Sequence, residues 1–137
     1  MITAVDSSVL LDILTAGSRF GEASLAAVRG AQRLGGLVAC PVVWAEVRAL
    51  TADAAVLREH LPSAGVHFDP FDEESAELAG AMWRAYRRHG GTRDRLVPDF
   101  LIGAHAQVRG GGRLLCRDRG FYRKYFRGLK LIDPSGR

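Results

Sequence analysis

Five short apolar runs separated by stretches of helical periodicity constrain this chain more than any other feature. Ile2–Val5, Leu37–Cys40, Val66–Phe68, Arg113–Cys116 and Leu129–Ile132 are each three or four residues long and bounded by polar or turn residues. That length suits a strand buried on both faces and is too short for a helix. Between the runs lie helix signals. The Ser7-Ser8 pair is placed to cap a helix through Val9, Leu10 and Ile13, a second helix covers Glu22 to Arg33 before Gly35-Gly36, and Pro41 opens a third. Residues 52–61 read as helical. A longer amphipathic helix runs from Asp72 to Arg88 and stops at Gly90-Gly91, Pro98 starts another that reaches Arg109 and the three glycines after it, and a last turn lies at Phe121–Phe126. Strands alternating with helices predict an α/β fold, a central parallel β-sheet flanked by helices on both faces, with Leu129–Ile132 as an edge strand.

At 137 residues the chain is expected to form one domain over 1–137, since two halves would each be short of core. A net charge of +4 and a pI near 9.6 favour an anionic partner, nucleic acid first. The cations are arginine apart from Lys124 and Lys130, and a guanidinium suits bidentate phosphate contact. With only Cys40 and Cys116 there is neither a disulfide framework nor a cysteine metal signature, which fits a reducing cytoplasm. The first apolar runs end at Asp6 and Asp12, too early for a signal peptide or a membrane span, so a soluble cytoplasmic protein is expected.

Four acids stand where solvated acids are not expected. In an open parallel sheet, ligands bind beyond the carboxyl ends of the strands. Asp6 follows the first strand directly and Asp118 stands two residues past Leu114-Leu115-Cys116, so both emerge at that edge. Glu46 falls on the helical wheel between Val42 and Leu50, in an arc with Val43 and Val47, and interrupts an apolar stripe. Asp99 opens an otherwise apolar helix, with Gly103 and Ala106 on its side leaving room for a neighbour. Each acid has an individual explanation: a place just before a cap for Asp6, a turn for Asp118, an ion pair with Arg48 or Arg84 for Glu46, the helix dipole for Asp99. One shared cation covers all four, and all-oxygen ligands select Mg2+ or Mn2+ over zinc.

Assembled in this way, the chain resembles the PIN-domain nucleases, and within them the VapC toxins of bacterial VapBC toxin–antitoxin pairs. The resemblance rests on Val5-Asp6-Ser7-Ser8-Val9-Leu10-Leu11, on Trp44-Ala45-Glu46-Val47, on Val97-Pro98-Asp99-Phe100-Leu101-Ile102-Gly103-Ala104-His105-Ala106, and on Leu115-Cys116-Arg117-Asp118-Arg119-Gly120-Phe121. Cys116 stands where the family usually has Thr, which removes a hydroxyl but no acid. The resemblance implies a Mg2+-dependent endoribonuclease with a PIN-like fold, acting as a toxin blocked by a small cognate antitoxin, and a homodimer.

For such a site Asp6 and Asp99 are expected to be the main metal ligands. Asp118 completes the acidic pocket or holds a second ion, and Glu46 binds through water or acts as general base. Arg93, Arg95, Arg117 and Arg119 are candidates for holding the RNA backbone, and Trp44, Trp83, Tyr86, Phe121, Tyr122, Tyr125 and Phe126 for stacking on bases, although aromatics at helical spacing more often fill cores. His105 is expected in a core or an interface. A haloacid-dehalogenase-like phosphatase wants an acid where Ser8 stands, and a receiver domain wants a strand-end lysine that is absent. The remaining alternatives are a non-catalytic PIN-like module binding RNA or protein, and a DNA-directed nuclease on the same site.

Overall fold

All five apolar runs become strands: β1 Thr3–Val5, β2 Leu37–Ala39, β3 Val66–Phe68, β4 Arg113–Leu115 and β5 Lys130–Ile132. The structure, a computed structural model, describes residues 1–91, 97–117 and 120–136. The strands form one sheet in the order β3-β2-β1-β4-β5, with every pair parallel and β5 at an edge as expected. In the centre Thr3 registers with Leu37, and Ala4 and Val5 with Leu114 and Leu115. Thr3, Ala4 and Val5 are all buried, which requires cover on both faces of the sheet.

That cover comes from helices α1 Ser7–Leu14, α2 Gly21–Leu34, α3 Pro41–Ala49, the short α4 Leu61–Ser63, α5 Glu73–Arg88, α6 Val97–Val108 and α7 Phe121–Tyr125. Pro41 takes the first turn of α3, where its missing N–H costs nothing. Asp72 caps α5 by accepting the Ser75 N–H at 2.8 Å. Gly103 on α6 leaves the space foreseen for it. Phe126, from just beyond α7, fills that space so closely that a Cβ on Gly103 would lie 2.5 Å from its ring.

Two local expectations are corrected. Residues 52–61 do not form one helix: a π-helical turn at Val56–His60 runs into α4. The ring of Pro62 crowds the carbonyl four residues before it and removes a ladder donor, which opens the preceding turn. Nor do Ser7 and Ser8 cap α1. Asp6 holds the cap position in extended backbone, the helix begins at Ser7, and both hydroxyls are directed elsewhere. No helix among the described residues is long and apolar enough to cross a membrane.

Candidate active site

The carboxyl edge of the sheet gathers three of the four acids. Asp6 leaves the end of β1, where its N–H donates to the Leu115 carbonyl of β4 at 2.9 Å. Its Oδ2 accepts the Ser8 hydroxyl at 2.8 Å, and Ser8 Oγ in turn accepts the Arg117 N–H at 3.4 Å, so one serine ties the exits of β1 and β4 together. Glu46 sits in the second turn of α3, flanked by the buried Val43 and Val47, and its Oε1 accepts the Ser7 hydroxyl at 3.1 Å. Neither Arg48 nor Arg84 pairs with it. Arg48 donates instead to the Thr51 carbonyl at 3.0 Å. Asp99 lies in the first turn of α6, which packs on α3, β1 and β4. Asp118 lies outside the described residues, as do Arg93, Arg95 and Arg119.

The three described acids sense one another. Burial pushes the Asp6 carboxyl above the carboxylate range, against the Ser8 hydroxyl, the Ser7 and Ser8 N–H groups and the Arg117 charge. Burial also raises Glu46; the Ser7 hydroxyl pulls it down, while the charges of Asp6 and Asp99 push it further up. Asp99 is raised from 3.8 to about 6 by burial and then by Asp6. Among the described residues none of the three carboxylates has an ion-pair partner.

Such a set fits a divalent cation of a particular kind. Among the described residues no three His, Cys, Asp or Glu side chains are close enough together to form a cage. Magnesium does not need one, because it keeps several waters and is commonly held by one or two carboxylates. Buried, mutually repelling carboxylates without an ion-pair partner suit that mode of binding.

Other candidate residues take different places. Arg117 is committed within the protein: its Nε donates to Asp12 Oδ2 at 2.8 Å, a second nitrogen to Oδ1 at 3.1 Å, and its guanidinium lies 4.9 Å from the Phe20 ring centre. Asp12, buried on α1, also accepts the Ser18 and Ser24 hydroxyls. Sequence reading missed this network, since the only trace is an acid within an apolar helix. His105 is a core residue as expected, with Nε2 2.7 Å from Asp69 Oδ2, where Arg109 Nε also donates at 2.6 Å.

The aromatics mostly pack on each other. Tyr86, Phe100, Phe121 and Tyr125 form edge-on and tilted contacts with centres 4.9–5.8 Å apart. Tyr122 is buried, and its hydroxyl is held well above its ordinary titration range by burial and then by the charges of Asp6, Asp99 and Glu46. It therefore belongs to the acidic site as a neutral neighbour and is not an exposed platform for bases. Its position four residues after Asp118 in the sequence was the available signal. Cys40, buried at the exit of β2, is pushed up to about 11 by burial and then by the charges of Asp6 and Glu46, so its thiol stays protonated at neutral pH. Cys116, where a Thr hydroxyl was weighed, is fully buried.

The family model described as PIN domain matches residues 3–127. No curated protein sequence matches the chain. Among solved structures, FitAcB from Neisseria gonorrhoeae is 18% identical with a TM-score of 0.70, covering 99% of this chain and 100% of that one. VapBC2 from Rickettsia felis, bound to a DNA fragment from its promoter, is 12% identical with a TM-score of 0.73, covering 97% and 98%. A toxin–antitoxin complex from Klebsiella pneumoniae is 19% identical with a TM-score of 0.60, covering 96% and 97%. At these identities the likeness is one of fold.

Proposed function

The chain belongs to the PIN-domain family, and from that premise we propose that it is a metal-dependent endoribonuclease, a single PIN domain over 1–137 acting as the toxin of a toxin–antitoxin pair. The observation that carries the proposal is the convergence of Asp6, Glu46 and Asp99 at the carboxyl edge of the sheet without an ion-pair partner among the described residues. Asp6 and Asp99 would hold a Mg2+ ion, with Mn2+ as a substitute, and Asp118 would complete the acidic pocket. When bound, such a cation neutralises charge on a phosphoryl oxygen and acidifies a water.

The protein's own groups do the rest. Glu46, its affinity for a proton raised by burial and by its acidic neighbours, takes a proton from the attacking water as general base, and the Ser7 hydroxyl fixes the direction of its Oε1. Ser8 fixes Asp6 Oδ2 in the same manner. Tyr122, buried and neutral, adds no charge beside the acids. The assembly with antitoxin in the solved relatives supports a small cognate antitoxin partner for this chain as well, alongside a homodimer.

Purified protein free of antitoxin, incubated with end-labelled total RNA in Mg2+, in Mn2+ and in EDTA beside a folded Asp99→Asn variant, tests the proposal. Discrete fragments that disappear in EDTA and in the variant are the expected outcome. Intact RNA in both metals with binding retained overturns it in favour of a binding module, and cleavage of DNA in preference to RNA overturns the substrate assignment.

A further inference from the structure

The C-terminal half of α5 carries a basic face that the acidic site does not use. Arg84, Arg87 and Arg88 are solvent-exposed, share one side of the helix by their three- and four-residue spacing, and have no ion-pair partner among the described residues. Together with Gly80 and Trp83 they line an open groove of about 600 Å3. Nothing lies within 4 Å of where a Cβ on Gly80 would stand, so its missing side chain leaves the groove open. The Trp83 ring lies 5.9 Å from the Arg87 guanidinium, and its indole nitrogen is turned inward and buried, so only the ring is available to the groove. Like charges on adjacent helical turns repel, so this face carries an unbalanced field that an anion would relieve.

Its position along α5 places it near the start of α6. Tyr86, between these arginines in sequence, meets the Phe100 ring edge-on at 5.6 Å, and Phe100 follows Asp99 directly. Helices α5 and α6 pack together, and the Tyr86–Phe100 contact sets the C-terminal end of α5 beside the first turn of α6, the turn that holds Asp99; by helical spacing the arginines lie on the outer side of α5, away from that contact. We propose that Arg84, Arg87, Arg88 and Trp83 form a binding track for the RNA sugar–phosphate backbone, holding the strand outside the acidic centre. This rests on the nuclease reading above and names how its substrate is held. The track offsets the repulsion of phosphate by the acids, a task Arg117 cannot perform while it is bound to Asp12. A second copy of the chain is a poor occupant, since a two-fold contact would set the same three cations against themselves.

The test is binding of a labelled single-stranded RNA oligomer to the Asp99→Asn protein in EDTA across a series of salt concentrations. Replacing Arg84, Arg87 and Arg88 with Gln is expected to flatten the slope of log affinity against log salt by about 2, at about 0.7 for each phosphate contact on a single strand. It should also weaken binding at least tenfold at low salt. The double variant Arg29→Gln/Arg33→Gln, on exposed positions of α2, should leave the slope unchanged. In otherwise wild-type protein the triple variant is expected to raise KM with little change in kcat, since the track lies outside the acids. An unchanged slope and affinity in the triple variant overturns the track, as does an unchanged slope with a shifted oligomeric state, which makes the face a protein interface. Cleavage that persists with unchanged KM rejects the track alone and leaves the nuclease standing. Absent cleavage with a flattened slope upholds the track and rejects the catalysis.

Discussion

Replacing Asp99 with Asn should make the metal-free protein more stable. The carboxyl of Asp99 is held at about 6, against 3.8 ordinarily, by burial and by Asp6. The folded state therefore keeps a proton that the unfolded chain has lost between roughly pH 4 and 6, and the stability of the wild type falls as pH rises through that window. At 1.36 kcal/mol for each pH unit the full cost is about 3 kcal/mol, and solvent screening of a partly exposed group brings it to about 1–3 kcal/mol. Asparagine keeps the shape without the charge. In EDTA at about pH 7.5 the variant should melt about 3–12 °C above the wild type, at about 3–4 °C for each kcal/mol in a chain of this size. Near pH 4 the two should converge. Saturating Mg2+ should reverse the order, since an ion at 100 times its Kd adds about 2.7 kcal/mol to the state that binds it. Calorimetry at the two pH values, with and without Mg2+, decides the matter. A variant no more stable than wild type at pH 7.5, or an advantage that persists unchanged near pH 4, refutes the argument that these acids stand uncompensated.

Gly103→Ala should cost about 1–3 kcal/mol in denaturant unfolding, because the new methyl overlaps the fully buried Phe126 ring. Arg117→Ala should destabilise by about 2–4 kcal/mol, leaving buried Asp12 with serine donors alone, while the affinity of the folded fraction for RNA stays near wild type. Ser7→Ala removes the donor that lowers the Glu46 carboxyl, so the acid limb of the pH–rate profile should move to higher pH, with activity at neutral pH reduced several-fold. His105→Ala should cost about 2–4 kcal/mol by equilibrium unfolding, through a core cavity and a lost partner for Asp69.

The sheet was readable because each strand is a short apolar segment set between helix signals, and burial on both faces writes itself into three consecutive residues such as Thr3, Ala4 and Val5. The acids were readable by their position at strand exits and helix starts. Pairings across long separations were not. Nothing near Arg117 in sequence announces Asp12, which lies on the first helix, so an arginine beside an acid read as a candidate for RNA when its fork was already filled. Ser7 and Ser8 read as caps because capping is the local use of a serine before a helix; their hydroxyls serve Glu46 and Asp6, and Glu46 comes from another helix. The stripe around Glu46 held for Val43 and Val47 and failed at Leu50, which lies just past the end of α3 and is 71% exposed. The reading of Asp118 stays with the sequence.

The central strand also sets a schedule for biosynthesis. Strand β1 precedes the other four strands in sequence, yet one of its two neighbours, β4, is made only after β2, β3 and the helices between them, and Asp6 takes its place through the Leu115 carbonyl. A chain leaving the ribosome can bring β1 and β2 together early, which brings Asp6 near Glu46. Asp99 joins them only when α6 has docked against β1 and β4. At about 5–20 residues per second the interval from Glu46 to Leu115 lasts roughly 3–14 s. Until β4 is made and α6 has docked, the growing polypeptide has no finished centre, so whatever chemistry the site performs is withheld over that interval.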